Sequence, residues 1–230
     1  MNRHQRRVAK AQGNSQKLDP VIAIHEAGHA VARVLGAADF GLPAEKMISH
    51  IDVGTAENLG QSFFDKSVTL KSQAVTYGPT LSAELQAVFN RATLGVDPGK
   101  LTKQHIVDAI ELAKNEGLDV APWLRARMLI STLASAAEAQ HTGRQIADVW
   151  NSPESEGDLK GAVEDGIYAG LPTDQIAVLI GESLDRSEAL LKQTNVQRAI
   201  HALADALPVS GRLKGQRAVF IINRALATGD

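Results

Sequence analysis

Residues 19–36 read DPVIAIHEAGHAVARVLG and carry the strongest secondary-structure signals of the chain. Asp19 is a favourable helix N-cap, Pro20 suits the first helical position, and Gly36 is typical of the residue that follows a helix. Apolar residues lie on nearly every side of the helix between these signals, which is the pattern of a helix buried all round. The stretch therefore predicts a central buried helix that nevertheless carries two histidines and a glutamate.

His25, Glu26 and His29 form an HExxH motif on this predicted helix. Residues four apart share a helix face, so both imidazoles can reach one metal ion, and the glutamate is placed to hold a water molecule on that ion. Zinc lowers the pKa of such a water to about 7, and Glu26 would take its proton as the catalytic base. The motif predicts one Zn2+ per chain, with His25 and His29 as metal ligands.

The cost of burying these polar groups supports a metal. Two imidazoles and a carboxylate without partners would cost several kcal/mol, and a bound ion removes that cost. The alternative is a set of core polar groups satisfied by backbone and water. A catalytic zinc site needs a third protein ligand and keeps one position open. The spacing alone leaves the third ligand open among Asp158, Glu138, Glu154, Glu156, Glu164, Asp165, His141 and His50.

The composition narrows the class of protein. The chain has 230 residues, a net charge of −2 and no cysteine. Disulfide frameworks and cysteine nucleophiles are therefore excluded, and a zinc ion must be held by histidine and carboxylate. No apolar run approaches a membrane span, no signal-peptide pattern follows the first residues, and the charge does not suit a dedicated nucleic-acid binder. We expect a cytoplasmic protein without membrane contact.

The remaining patterns predict one mainly α domain over residues 19–230. Residues 1–18 are expected to be a basic flexible tail, because residues 1–17 hold five basic side chains and no acidic one. A small β element of two to three strands is expected beside the HExxH helix. The patterns predict strands at 47–53 and 59–64, surface loops at 65–79 and 151–153, and helices at 82–92, 103–116, 122–140, 155–170, 173–193, 196–207 and 214–227.

The sequence resembles the peptidase domain of the FtsH-type proteases, which are membrane-anchored AAA+ zinc peptidases. Residues 24–31 (IHEAGHAV) resemble the zinc helix of that family. The similarity continues in chain order. Residues 46–63 resemble the strand pair after the zinc helix, and residues 136–138 (AAE) resemble an Ala-Ala-Glu helix of the family. Residues 155–159 (SEGDL) resemble the segment with the third zinc ligand, and residues 203–226 resemble the C-terminal helices. The resemblance implies a helical zinc-metallopeptidase domain with His25, His29 and Asp158 as ligands and Glu26 as base.

Asp158 also suits this role on physical grounds. It lies in the first turn of a predicted helix, where the helix dipole favours the ionised carboxylate that a metal requires. The alternative is a capping-box acid bonded to Ser155. The family has asparagine where this chain has Gly157.

The sequence departs from the family in two further respects. It contains no G-x-x-x-x-G-K-[ST] nucleotide-binding motif, and the long spacing between His29 and Asp158 predicts a helical insertion at about 65–125. We therefore expect ATP-independent hydrolysis of unfolded or flexible protein substrates, with a separate ATPase or adaptor as a candidate partner. A homo-oligomer is a further expectation, since the family's peptidase domains form rings.

Several residues are weaker candidates for the site. Glu138 is expected to orient a ligand histidine through its second ring nitrogen, or else to be a structural acid, and Glu164 is a weaker candidate of the same kind. An extended substrate could add to the edge of the second predicted strand, although the inserted helices could instead cover it. The residues of that substrate strand are Leu59, Gly60, Gln61, Ser62 and Phe63.

Two functions follow from these observations. The first is a zinc-dependent endopeptidase, which the intact Glu26 favours because a purely structural metal site needs no base. The alternative is a non-catalytic metal-binding relative that acts as an interaction or regulatory module.

Overall fold

The structure, a computed structural model, describes residues 18–54, 74–208 and 211–228, and α1 (Pro20–Leu35) is its central helix. The predicted tail thus lies outside the described residues except for Leu18. α1 packs along α4 (Ala121–Thr142) and also contacts α8 (Thr194–Ala206) and α9 (Gly215–Ala227). The other helices of the described ranges are α2 (Ala83–Ala92), α3 (Lys103–Asn115), α5 (Ile146–Trp150), α6 (Glu156–Tyr168) and α7 (Thr173–Leu191). The fold is mainly helical, as predicted.

The ends of α1 are set by the residues that predicted them. The Asp19 carboxylate accepts a hydrogen bond from the backbone N–H of Val21 at 2.9 Å, and Pro20 occupies the first helical position. At the other end, the N–H of Gly36 donates to the carbonyl of Ala32 at 2.9 Å. No residue between positions 21 and 35 is exposed, so the all-round apolar pattern correctly predicted a buried helix.

A small antiparallel sheet lies beside α1. Its strands, in the part of the chain that the structure describes, are β1 (His50–Val53), β2 (Ala74–Tyr77) and β3 (Gly211–Lys214), in the order β2-β1-β3. β1 is the central strand, and β2 packs against α1. The predicted position of the β element beside the HExxH helix is therefore confirmed.

The predicted strand boundaries were partly wrong. β1 begins three residues later than the predicted 47–53, because Met47 ends a 3-10 turn and is fully buried in the core. β2 lies within 65–79, which was predicted to be a loop, and β3 was not predicted as a strand. Both are only four residues long, too short for a reliable alternating pattern, and they are held by pairing with β1. The predicted strand 59–64 lies outside the described residues.

Three further observations concern the helical parts of the chain. The short helix α5 was not predicted. Helices α2 and α3 lie within the range 65–125, and their origin as an insertion stays a prediction. None of the helices in the described ranges combines the length and the apolar character of a membrane-spanning segment.

The crossing of α1 and α4 depends on Gly28. A Cβ atom built on Gly28 would lie 2.6 Å from the Cα of Ala134 and 3.1 Å from the carbonyl oxygen of Leu133. Real side-chain carbons do not approach backbone atoms so closely, so only glycine allows the two helices to meet at this distance. This close approach brings the backbone and side chains of α4 against the histidine face of α1.

We expect Gly28→Ala to destabilise the protein by about 1–3 kcal/mol, because the added methyl must push α4 away from α1. Urea unfolding followed by circular dichroism would measure this change in the free energy of unfolding. Gly181→Ala is the matched control: Gly181 is exposed in the interior of α7 with no atom near its Cβ position. There, alanine should instead stabilise by roughly 0.5–1 kcal/mol through its better helix propensity. Equal stability of Gly28→Ala and wild type would contradict the tight crossing.

Candidate metal centre

His25, His29 and Asp158 converge on one point between α1 and α6. One ligand atom from each residue lies within 4.8 Å of the other two. The Nε2 atom of His25 is 3.1 Å from Asp158 Oδ2, and Nε2 of His29 is 3.4 Å from Asp158 Oδ1. The two imidazole rings meet edge to face, with centroids 4.8 Å apart. Among the described residues this is the only such cluster of histidines and acids that could hold a metal ion.

Each histidine is oriented by a partner on α4. The Nδ1 of His29 lies 2.8 Å from the carbonyl oxygen of Ile130, which can only accept, so Nδ1 carries the proton and Nε2 keeps its lone pair. The Nδ1 of His25 donates in the same way to the carboxylate of Glu138 at 3.0 Å. Glu138 therefore contacts the ring nitrogen of His25 that faces away from Asp158, and its role in orienting a metal ligand stays a prediction. This arrangement presents both Nε2 lone pairs towards Asp158, as in zinc sites whose histidines are held through the other ring nitrogen.

Asp158 supplies a carboxylate oxygen that lacks a hydrogen bond. Its Oδ2 atom is buried without a hydrogen-bond partner, because the nearby His25 Nε2 does not meet hydrogen-bond geometry despite the short distance. Three electron-pair donors that face one another need a cation between them. Two imidazole nitrogens and one carboxylate oxygen match the ligand set of catalytic zinc and leave one coordination position open. The residues present therefore fit a zinc ion.

The alternative role of Asp158 as a helix-capping acid has no support in the observed contacts. Ser155 is buried and makes no side-chain cap hydrogen bond at the start of α6; its hydroxyl instead accepts from Ser135 at 3.3 Å. Asp158 lies in the first turn of α6, where the helix dipole favours its charged form.

The charges of the cluster favour cation binding. Burial alone would raise the pKa of Asp158, but its attraction to His29 and His25 outweighs burial and lowers the pKa, so the carboxylate is ionised. Burial alone would lower the pKa of His25, but the carboxylates of Asp158 and Glu138, 3.1 and 3.0 Å from its ring nitrogens, raise the pKa to about 10. In the metal-free protein a proton on His25 therefore takes the place of the cation, and a metal must displace it.

Glu26 lies next to His25 on α1 and is held by the sheet. Its side chain is 6% exposed, and its Oε2 accepts from the hydroxyl of Thr76 on β2 at 3.0 Å. The same hydroxyl lies 3.2 Å from the backbone carbonyl oxygen of Glu26. Burial raises the pKa of Glu26, which makes its carboxylate a stronger base than an exposed one.

The other candidates from the sequence have different surroundings. Glu164 accepts from Lys103 Nζ at 2.8 Å and lies 3.5 Å from the Tyr168 hydroxyl, so its contacts are not with the histidines. His50 stacks on Tyr77 with ring centroids 4.5 Å apart. The predicted substrate strand, Leu59, Gly60, Gln61, Ser62 and Phe63, lies outside the described residues.

Three groups near the site were not identified from the sequence. Thr76 was missed because its strand was predicted to be a loop, and the carbonyl of Ile130 because backbone groups leave no signal in a sequence. The third, Arg33, is four residues after His29 on a helix that was predicted to be buried. A charged side chain on a helix that is predicted to be buried needs a partner, just as the histidines do. This signal in the sequence could have identified Arg33.

No protein-family model, no curated protein and no solved structure matches this chain. The resemblance to the FtsH-type peptidases therefore rests on sequence motifs, and the function must be argued from the chemistry of the site.

Proposed function

We propose that the protein is a zinc-dependent endopeptidase of FtsH-like type that hydrolyses peptide bonds in unfolded or flexible polypeptides. The observation that carries the proposal is the convergence of His25, His29 and Asp158 within 4.8 Å beside the buried Glu26. A structural zinc site needs four protein ligands and no base, whereas three ligands with an adjacent carboxylate suit catalysis.

Each of the four site residues has a distinct task in the proposed mechanism. The Nε2 atoms of His25 and His29 and the carboxylate of Asp158 would hold the metal. Zinc, when bound, supplies a Lewis acid that polarises the substrate carbonyl and lowers the pKa of a water molecule to about 7. Glu26 accepts a proton at its carboxylate and later delivers it to the leaving amine.

The neighbours of these residues keep their geometry. Glu138 and the Ile130 carbonyl hold the histidine rings with Nε2 towards the metal position, and Thr76 holds Oε2 of Glu26. Mutation of such supporting partners typically costs 10–100-fold in metal affinity or activity. The site is therefore built on helices and a strand that fix its side chains before substrate binds.

The sheet offers a place for an extended substrate. β2 pairs with β1 on one side, and no described strand pairs with its other side. A peptide that aligned with this side would gain backbone hydrogen bonds, which are largely independent of side-chain identity. We propose this edge as the substrate-binding strand, with sequence-tolerant binding of flexible chains. A separate ATPase or adaptor in the cytoplasm would unfold more stable substrates, because the chain lacks a nucleotide-binding motif.

Metal reconstitution combined with a digest tests the proposal. The purified chain would be stripped with a chelator, reloaded with zinc and incubated with casein and with unstructured peptides. We expect one zinc ion per chain by mass spectrometry of the metal, hydrolysis only in the reloaded protein, and loss of hydrolysis when the chelator is added again. Cleavage sites would be mapped by mass spectrometry of the products.

Two results would count against the proposal in different ways. A chain that takes up zinc but cleaves none of a varied set of unfolded substrates would favour the interaction or regulatory module. If the chain takes up no zinc after supplementation, both the zinc endopeptidase and the metal-binding module are rejected.

A further inference from the structure

A second polar cluster lies beyond the metal centre on the same three helices. Arg33 follows His29 by one helical turn on α1, Arg127 lies on α4, and Asp165 follows Asp158 by seven residues on α6. Residues four or seven apart share a helix face, so this cluster continues the line of the metal ligands. We call Arg33, Arg127 and Asp165 the arginine cluster.

The arginine cluster has more positive than negative charge. Arg127 Nε donates to Asp165 Oδ2 at 2.8 Å, which pairs that cation with the one acid of the cluster. Arg33 forms no ion pair with any acid among the described residues, although it is only 7% exposed. Its Nη1 donates to the carbonyl of Pro79 at 3.0 Å, and its Nε is buried without a hydrogen-bond partner. A buried guanidinium with an unused donor is costly unless an anion binds to it.

The electrostatics of Arg33 favour the binding of an anion. Burial, followed by repulsion from Arg127, lowers the pKa of Arg33 to about 9, and Glu26 and Asp165 only partly offset this effect. At neutral pH the side chain remains charged, so the cluster keeps its excess of one positive charge.

The guanidinium group lies at the end of the proposed substrate strand. A Cβ atom on Gly78 would lie 2.7 Å from Nη1 of Arg33, so the group packs directly against the backbone that follows β2. Thr76, two residues earlier, bonds to Glu26. The seven residues of α1 from Glu26 to Arg33 span about 10 Å, and the three residues from Thr76 to Pro79 span about the same length when extended. Along both paths, the backbone beside the guanidinium lies about 10 Å from the backbone beside the catalytic carboxylate.

We propose that Arg33 binds a carboxylate group of the substrate, located two to three residues from the scissile bond. The inference rests on the proposed function and adds a specificity to it. The carboxylate could be the C-terminus of a peptide or the side chain of an aspartate or glutamate, because both offer the same planar pair of acceptors to the guanidinium fork. An extended peptide advances about 3.3 Å per residue, which sets the spacing of two to three residues.

Peptide binding to a variant that cannot cleave tests this inference. The zinc-loaded Glu26→Gln protein would be titrated with fluorescent peptides in matched pairs, and the anisotropy recorded. One pair differs only in a C-terminal carboxylate or carboxamide, and a second, amidated set differs only in aspartate or asparagine at each position. Charge-assisted hydrogen bonds predict about tenfold to a hundredfold tighter binding of the carboxylate form in at least one pair. The pair that shows the preference identifies the source of the carboxylate.

Variants of Arg33 then assign the preference to this residue. In Arg33→Met the two members of each pair should bind within about twofold of each other, whereas Arg33→Lys, which keeps the charge but not the fork, should retain an intermediate preference. Arg125→Met is the matched control, because Arg125 is an exposed arginine on α4. This variant should prefer the carboxylate form of each peptide as strongly as the parent protein does. A purely structural role of Arg33 would change the affinity for both members of a pair and leave their ratio unchanged. Circular dichroism and zinc content would establish that each variant is folded and loaded.

Several outcomes would overturn the inference. These are equal binding of all pairs, no binding at millimolar peptide, and a preference that persists in Arg33→Met, as expected if the carboxylate binds the zinc instead. The proposed function is tested separately by hydrolysis in the protein with Glu26 intact. An Arg33-dependent preference without hydrolysis would support the carboxylate site and reject the peptidase, and hydrolysis without the preference would do the reverse.

Discussion

Glu26→Gln is expected to lower the rate of peptide hydrolysis by about a hundredfold to ten-thousandfold, the usual contribution of a general base, while the zinc content stays at one ion per chain. The amide has nearly the same shape as the carboxylate, and its oxygen can still accept the hydroxyl of Thr76. It cannot take a proton from water, so the loss should fall on kcat with little change in KM. Cleavage of a quenched fluorescent peptide would measure both constants.

The matched control for this prediction is Glu111→Gln. Glu111 is exposed on α3, so the same chemical change there should leave both kcat and the zinc content unchanged. Retention of full activity in Glu26→Gln, at normal zinc content, would show that Glu26 is not the base.

Stability measurements check that the Glu26→Gln variant is intact. Burial raises the pKa of Glu26 in the metal-free protein, so its charged form destabilises the fold. This cost is fully present above the folded-state pKa, and it disappears as the pH falls below the unfolded-state value of about 4.3. In the presence of chelator, we therefore expect the variant to be at least as stable as wild type at neutral pH. Its advantage should shrink as the solution is acidified.

Asp158→Ala is expected to weaken zinc binding by more than the roughly 10- to 100-fold that the loss of an outer partner costs, because it removes one of only three ligands. Competition with a chromophoric chelator would give the affinity. Hydrolysis at limiting zinc should fall in parallel, and excess zinc should restore only part of it. Because Asp158 also stabilises a proton on His25, the metal-free variant should bind fewer protons at neutral pH.

Glu156→Ala is the control for Asp158→Ala. Glu156 lies in the same first turn of α6 but is exposed, and it was one of the candidate ligands that spacing alone left open. The zinc affinity of Glu156→Ala should match that of the wild-type protein. If Asp158→Ala bound zinc as tightly as wild type, the third ligand would have to be another residue.

Much of the helical fold was predictable because its signals are local. The N-cap at Asp19, the proline after it and the all-round apolar pattern predicted α1 to the residue. The HExxH spacing placed two imidazoles on one face without any knowledge of the neighbouring helices. Asp158 was different: spacing left many acids open, and only the family resemblance singled it out before the structure brought it to the histidines.

The strands and the supporting groups could not be predicted in the same way. β2 and β3 have four residues each, and their stability comes from pairing with β1, so nothing in their own sequences distinguishes them from loops. The contact of Thr76 with Glu26 depends on that pairing. The Ile130 carbonyl reaches His29 because Gly28 lets α4 approach, and this is a tertiary effect of a residue that sequence patterns mark only as small.

The distance along the chain between the ligands has a consequence for synthesis. Asp158 is 129 residues after His29, on a helix that must fold against α1 before the ligand set is complete. At about 5–20 residues per second, a ribosome needs roughly 6–26 s to add that length. During this time the growing chain displays the two histidines and Glu26 without their third ligand. Under the proposed function, proteolytic competence would therefore arise only after about two thirds of the chain has been synthesised, when Asp158 can join the two histidines.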